Sequence, residues 1–184
     1  MKTSTDTLKA GGLILDPTDT IWGIGCAATS AEAVAKVYAL KKREDSKSLV
    51  ILVSDADMLA RYVKAIPDVA QMLMEVNDAP MTIIYPEAEP SLASNCISED
   101  GSIAIRIPQN EFCVNLIRRF GRPIVSTSAN ISGEPSPKCF EEISPAIVSG
   151  VDCVASREYD NGGTHKASQI IKVEYDGQIK IIRQ

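Results

Sequence analysis

Apolar residues in this chain come in short runs, broken at near-regular intervals by proline, glycine or a polar cluster. Leu13-Ile14-Leu15, stopped by Pro17, reads as a buried strand, and so do Leu49-Val50-Ile51-Leu52-Val53 and Met81-Thr82-Ile83-Ile84-Tyr85. Ser102 to Ile107 alternates and ends at Pro108, giving a fourth strand, and Ile124 to Ser126 gives a fifth. Between these runs the apolar spacing is helical. Ser30 caps a helix from Ala31 to about Leu40, Ser54 caps one through Met58, Leu59 and Tyr62, and Pro67 opens one through Met74. Glu111 to Phe120 is a helix stopped by Gly121, and a short helix follows around Phe140 to Ile143. The C-terminal pattern is a hairpin, Gln169 to Glu174 and Gln178 to Ile182 about an Asp176-Gly177 turn. Alternating strands and helices with a terminal hairpin predict an α/β fold with an open, twisted, mixed sheet flanked by helices.

No repeat or low-complexity tract divides the 184 residues, so a single domain spanning 1–184 is expected. A formal charge of −5 argues against broad, nonspecific nucleic-acid binding, although a local basic patch remains compatible with it. The polar N-terminal segment lacks the apolar core of a signal peptide, and no apolar run reaches membrane-span length. A cytoplasmic protein is expected. The five cysteines show no paired spacing, which predicts reduced thiols rather than disulfides or zinc ligands. One histidine, His165, lies in a glycine-rich loop and is expected on the surface.

Three polar clusters stand out, the first and third following predicted strands, where open α/β sheets place ligands, and the second lying between the first helix and the second strand. The first, Asp16-Pro17-Thr18-Asp19-Thr20-Ile21-Trp22-Gly23-Ile24-Gly25, reads as a loop with two threonine hydroxyls. The second, Lys41-Lys42-Arg43-Glu44-Asp45-Ser46-Lys47-Ser48, suits phosphate oxygens, and equally complements a helix C-terminus. The third, Ser126-Thr127-Ser128-Ala129-Asn130-Ile131-Ser132-Gly133, concentrates hydroxyls and an amide in a strand-end loop; alone it is as compatible with a turn as with a site. Neither a Walker loop nor a complete dinucleotide fingerprint is present.

In order and spacing, Pro17-Thr18-Asp19-Thr20-Ile21-Trp22-Gly23, Lys41-x-Arg43 and Ser126 to Gly133 resemble the YrdC family of threonylcarbamoyl-AMP synthases, from about Leu8 to Arg183 and in its short form. The resemblance implies a YrdC-like fold and formation of threonylcarbamoyl-AMP and pyrophosphate from L-threonine, bicarbonate and ATP, with magnesium accompanying the nucleotide. Partner proteins would then modify tRNA beside the anticodon. By the same resemblance Lys41 and Arg43 are catalytic. Thr20, Arg106, Ser128 and Ser168 would contact L-threonine, while Arg43, Lys47, Ser102, Asn130 and Arg183 would contact ATP. The chain departs from the family pattern at Trp22, Glu44, Lys47-Ser48, Leu52 and Ala167, which bears on ligand geometry more than on reaction class. An RNA-binding module for tRNA or double-stranded RNA is the competing expectation. A carbamoyl-transfer domain of the hydrogenase-maturation type ranks last, since this chain lacks the zinc-finger-like segments found beside it.

Overall fold

The alternation of apolar and small or polar residues in the central strands determines how this chain packs. Six strands align a row of Cys26, Val125, Ile51, Ile105, Ile83 and Ile171, each opposite the next. All six are buried and belong to the main core. The neighbouring row, one residue along and therefore on the other face, reads Gly25, Ser126, Val50, Ala104 and Ile84. Around this row one face of the sheet is committed to the core, while the other carries small and partly polar residues; farther along that second face Ile14, Leu52 and Ile124 are buried as well.

The computed structural model describes residues 2–42 and 49–184. Its elements in chain order are α1 (Lys2–Lys9), β1 (Ile14–Asp16), β2 (Gly23–Ala27), α2 (Ala31–Lys41), β3 (Val50–Leu52), α3 (Ala56–Leu59), α4 (Asp68–Val76) and β4 (Met81–Tyr85). There follow β5 (Ile103–Arg106), α5 (Glu111–Phe120), β6 (Ile124–Ser128), α6 (Pro145–Gly150), β7 (Cys153–Val154), β8 (Gln169–Val173) and β9 (Ile179–Arg183). The described strands form one sheet in the order β7-β1-β2-β6-β3-β5-β4-β8-β9. β1–β7, β3–β5 and β4–β8 are parallel and the remaining neighbours antiparallel, so the sheet is mixed as expected. β8 and β9 make the expected C-terminal hairpin.

Helices α2, α4 and α5 form where expected, whereas α1 and α6 were not read from the sequence and α3 differs in its cap. The Ser30 side chain accepts from Ala33 N at the start of α2. α5 begins at Asn110, whose side chain accepts from Cys113 N, and ends at Gly121 in the left-handed region at φ 76°. α3, however, is capped by Asp55 rather than Ser54. The Ser54 hydroxyl donates to Asp55 Oδ2 at 2.8 Å, while Asp55 Oδ1 accepts from Met58 N at 2.8 Å. The carboxylate is the stronger acceptor, and serine braces it.

Three other expectations change. Gly23 to Gly25, read as loop, belong to β2, because Ala27 to Gly23 pair along the whole of β6. The fifth strand runs on to Ser128, so Ser126, Thr127 and Ser128 sit on a hydrogen-bonded strand and only Ala129 onward is loop. The helix around Phe140 is a single 3-10 turn, Phe140–Glu142. Buried Cys26, Cys96 and Cys113 behave as small apolar residues, and all five thiols are free.

The two faces of β3 predict different mutational costs. Ile51→Ala should lower unfolding free energy by about 3 kcal/mol, whereas Val50→Ala, half-buried at the cleft, should cost about 1 kcal/mol or less. Denaturant titration of both variants checks this; equal losses would contradict the face assignment.

Candidate active site

Pro17 ends β1, and the next five residues are tied into a rigid loop by one side chain. Thr18 Oγ1 donates to Ile21 O at 2.7 Å, accepts from Thr20 N at 3.1 Å and lies 2.9 Å from Thr20 Oγ1. Next to it, Asp19 pairs through Oδ1 with Arg106 Nη1 and accepts Gln109 N at Oδ2, 3.1 Å away. Arg106 and Asp19 are 5% and 8% exposed, so each charge depends on the other for solvation. A segment from Asp160 to Ser168 crosses this loop. Thr164 N donates to Asp19 O at 3.1 Å and His165 N to Thr20 O at 2.9 Å. The crossing is close at Gly163, where a Cβ would lie 2.7 Å from Thr20 O and 2.8 Å from Thr18 O. Trp22 Nε1 donates to Asp160 Oδ2 at 2.7 Å, and the indole packs edge-on against Phe140. His165 is exposed, as expected, with Nδ1 2.8 Å from Lys138 O.

Opposite this loop stands the end of β6. Ala129 N donates to Trp22 O at 3.1 Å, joining the two walls. Lys41, the last residue of α2, is 2% exposed and donates through Nζ to Ser128 O and, at 2.7 Å, to Asn130 O. Its own carbonyl accepts Ser132 N at 2.8 Å. Lys41 therefore clamps the Ser128–Ser132 turn from the rear. Asn130 Nδ2 donates to Ile131 O at 3.0 Å and Glu134 O at 2.8 Å, and its buried Oδ1 has no partner among the described residues. The third wall comes from the C-terminal hairpin: Arg183 donates through Nε and Nη2 to Ser168 O at 3.0 and 2.7 Å, and Ser168 Oγ meets Thr82 Oγ1 at 2.7 Å.

Between these walls lies a cleft of about 240 Å³. Of the residues selected from sequence, Thr20, Arg106, Ser128, Ser168 and Arg183 line it together, alongside Thr18, Trp22, Ser126 and Ser136. Among the described residues lining it are two arginines and several hydroxyls, but no carboxylate. Burial, and then the neighbouring Arg106 charge, pull Arg183 below its ordinary pKa. Buried Arg106 Nε has no partner among the described residues. Such a donor-rich cleft suits a carboxylate or phosphate with hydrogen-bonding groups beside it.

The other selected residues stand elsewhere. Lys41 lies behind the β6 turn. Ser102 is buried at the start of β5, where its Oγ donates to Asp100 Oδ1 at 2.5 Å. Asn130 organises the turn next to the cleft. Arg43 and Lys47 lie outside the described residues. Sequence reasoning passed over Thr18, Asp19 and Thr82, each of which holds a cleft residue in place. It also passed over Asp16, whose burial raises its pKa to about 7 against a lowering by Arg106.

Two outcomes follow. An acid held above its ordinary 3.8 stabilises less as pH rises to about 7 and stays at that lower level beyond. Asp16→Asn should therefore gain Tm relative to the parent between pH 5 and pH 8, by at least about 3 °C; a constant difference across that range would contradict the assignment. Lys41→Met keeps the buried stem but leaves two carbonyls unpaired, and should cost about 2 kcal/mol. Amide exchange across Ala129–Ser132 should quicken in the same variant.

Comparison with known proteins bears on the family and the fold. The Sua5/YciO/YrdC family model, described as telomere recombination, matches residues 6–184. The threonylcarbamoyl-AMP synthase of Stenotrophomonas maltophilia is 35% identical over 83% of this chain and 83% of its own length. That of Enterobacter is 30% identical over 91% of this chain and 87% of its own. The crystal structure of Pyrococcus abyssi Sua5 complexed with L-threonine superposes with a TM-score of 0.83 at 26% identity, covering 94% of this chain. The chain spans about half of that archaeal protein, 50% of its length. With a family match across nearly its whole length, this chain belongs to the Sua5/YciO/YrdC family.

Proposed function

We propose that this protein is an L-threonylcarbamoyladenylate synthase, with residues 1–184 acting as one catalytic unit. The observation that carries the reading is the convergence of Arg106, Thr20, Ser128, Ser168 and Arg183 on one cleft, with Arg106 held by Asp19. Relatives that bear the name threonylcarbamoyl-AMP synthase support it.

In this reading L-threonine places its carboxylate on Arg106, with Thr20, Ser128 and Ser168 around its nitrogen and hydroxyl. Its carbamate, formed with bicarbonate, attacks the α-phosphorus of ATP; a carbamate oxygen–phosphorus bond forms and pyrophosphate leaves. Bringing two anions together and stabilising charge at phosphorus is most of the catalytic work. Arg183 lies on the same cleft to meet the nucleotide, with Asn130, Ser102, Arg43 and Lys47 assigned to it by resemblance. Lys41 would act from behind, holding the Ser128–Asn130 turn and placing positive charge near the incoming phosphates. A cleft lined by cations and hydroxyls suits phosphate oxygens better than a bare divalent ion, so magnesium enters as part of the Mg–ATP substrate. The adenylate would pass to partner proteins that modify tRNA in the cytoplasm. No helix among the described residues is long and apolar enough to cross a membrane. An RNA-binding module would draw on the same cations, but the enclosed cleft about Arg106 favours a small carboxylate.

Pyrophosphate release should require ATP, L-threonine and bicarbonate together, each omission abolishing it. Release without L-threonine, or RNA binding without turnover, would refute the enzyme. Arg106→Ala should weaken L-threonine binding by about tenfold or more in calorimetry, the scale of a lost charge-assisted hydrogen bond; unchanged affinity would refute the carboxylate assignment.

A further inference from the structure

Thr18 was given no ligand above, yet its hydroxyl decides what the neighbouring Thr20 can offer one. A threonine hydroxyl carries one proton and can accept two hydrogen bonds. Ile21 O can only accept, so the Thr18 proton is committed to it, at 2.7 Å. Thr20 N can only donate, and it reaches Thr18 Oγ1 at 3.1 Å. One polarity remains for the contact between the two hydroxyls at 2.9 Å: Thr20 donates and Thr18 accepts. Thr18 is then saturated. Thr20 spends its only proton on Thr18 and meets the cleft with acceptor lone pairs. Backbone bonds hold the loop that carries both residues, because Thr20 O accepts from His165 N at 2.9 Å and Asp19 O accepts from Thr164 N at 3.1 Å.

We propose that Thr18 is a specificity-determining positioning residue: it makes Thr20 an obligate acceptor beside Arg106, so the cleft selects a carboxylate whose adjacent carbon bears an N–H donor. The proposal rests on the amino-acid reading of the cleft and extends it to the polarity of one atom. Its chemical consequence concerns the substrate nitrogen. An uncharged amine has two N–H donors and one lone pair, and an acceptor at Thr20 engages an N–H while leaving the lone pair exposed. A hydroxyl donating to the nitrogen would occupy that lone pair instead. The lone pair then forms the nitrogen–carbon bond with bicarbonate, whose hydroxyl departs with one amine proton as water, leaving the carbamate.

A matched pair of ligands tests the polarity: L-2-aminobutanoate, a donor at the α-position, and 2-oxobutanoate, an acceptor there. Their affinities, measured by calorimetric competition with L-threonine on the full chain, give a ratio. The parent should prefer the amino acid by about tenfold or more, the scale of a hydrogen bond gained against one mismatched. Thr18→Val removes the acceptor, frees the Thr20 hydroxyl to turn inward and should bring the ratio close to one. Thr18→Ser should restore it. Thr20→Val leaves Thr18 in place and should collapse the ratio as well, which keeps the test decisive if Thr18→Val folds poorly. A purely structural Thr18 would weaken both ligands alike, and an unchanged ratio in Thr18→Val or Thr20→Val overturns the proposal while L-threonine still binds. If the parent binds neither L-threonine nor L-2-aminobutanoate, the amino-acid reading itself fails and this proposal with it.

Discussion

The pleat of the central strands is the constraint on which the rest of this molecule depends. Successive side chains of a strand point to opposite faces, so one residue of register separates the row of Cys26, Val125, Ile51, Ile105, Ile83 and Ile171 from that of Gly25, Ser126, Val50 and Ala104. Burying the first row drives the sheet against its helices, and the small side chains of the second leave room for a cleft over Val50 and Ser126. Ser126 and Arg106 reach the cleft because their neighbours Val125 and Ile105 alternate with them into the core. The same register that builds the core aims the site.

Placing a guanidinium on such a sheet carries a desolvation cost, and the structure shows how that is met. Arg106 is nearly fully buried, and Asp19 offsets its charge from a loop more than eighty residues earlier, the pair being 87 apart in sequence. Asp19 is itself braced by Gln109 N and by the crossing segment at Thr164. A buried pair is costly to break by removing one partner, so the loop and strand behave as a unit. Lys41 applies the same logic on the opposite wall, where a buried ammonium is solvated by backbone carbonyls of the turn it shapes. Charge in this site serves geometry as well as ligand recognition.

The residues that were legible were those with a local signature. Ser30, Gly121 and the Asp176-Gly177 turn announced their elements, since capping and turn chemistry depend on neighbours in sequence. Thr20, Arg106, Ser128, Ser168 and Arg183 were found through the ordered resemblance and do meet in one cleft. Ser102 and Lys41 carried comparable signals but face Asp100 and the β6 turn. β2 was missed because Gly23-Ile24-Gly25 has the composition of a turn; it is a strand because β1 and β6 pair with both its edges. Asp19 was passed over although it stands in Pro-Thr-Asp-Thr. A buried arginine on β5 requires an acid, and the acid between two threonines was the available clue.

The sequence by itself determined the alternation of elements, the mixed α/β class, the caps at Ser30 and Gly121 and the family resemblance, because each rests on short-range periodicity or on motifs read in order. Only the tertiary structure decided which hydroxyls face the cleft, that Asp19 answers Arg106, and that Lys41 stands behind its wall. Those outcomes depend on contacts between residues tens of positions apart. A hydroxyl's polarity, as at Thr18 and Thr20, is settled only when every neighbour competing for its one proton is in place.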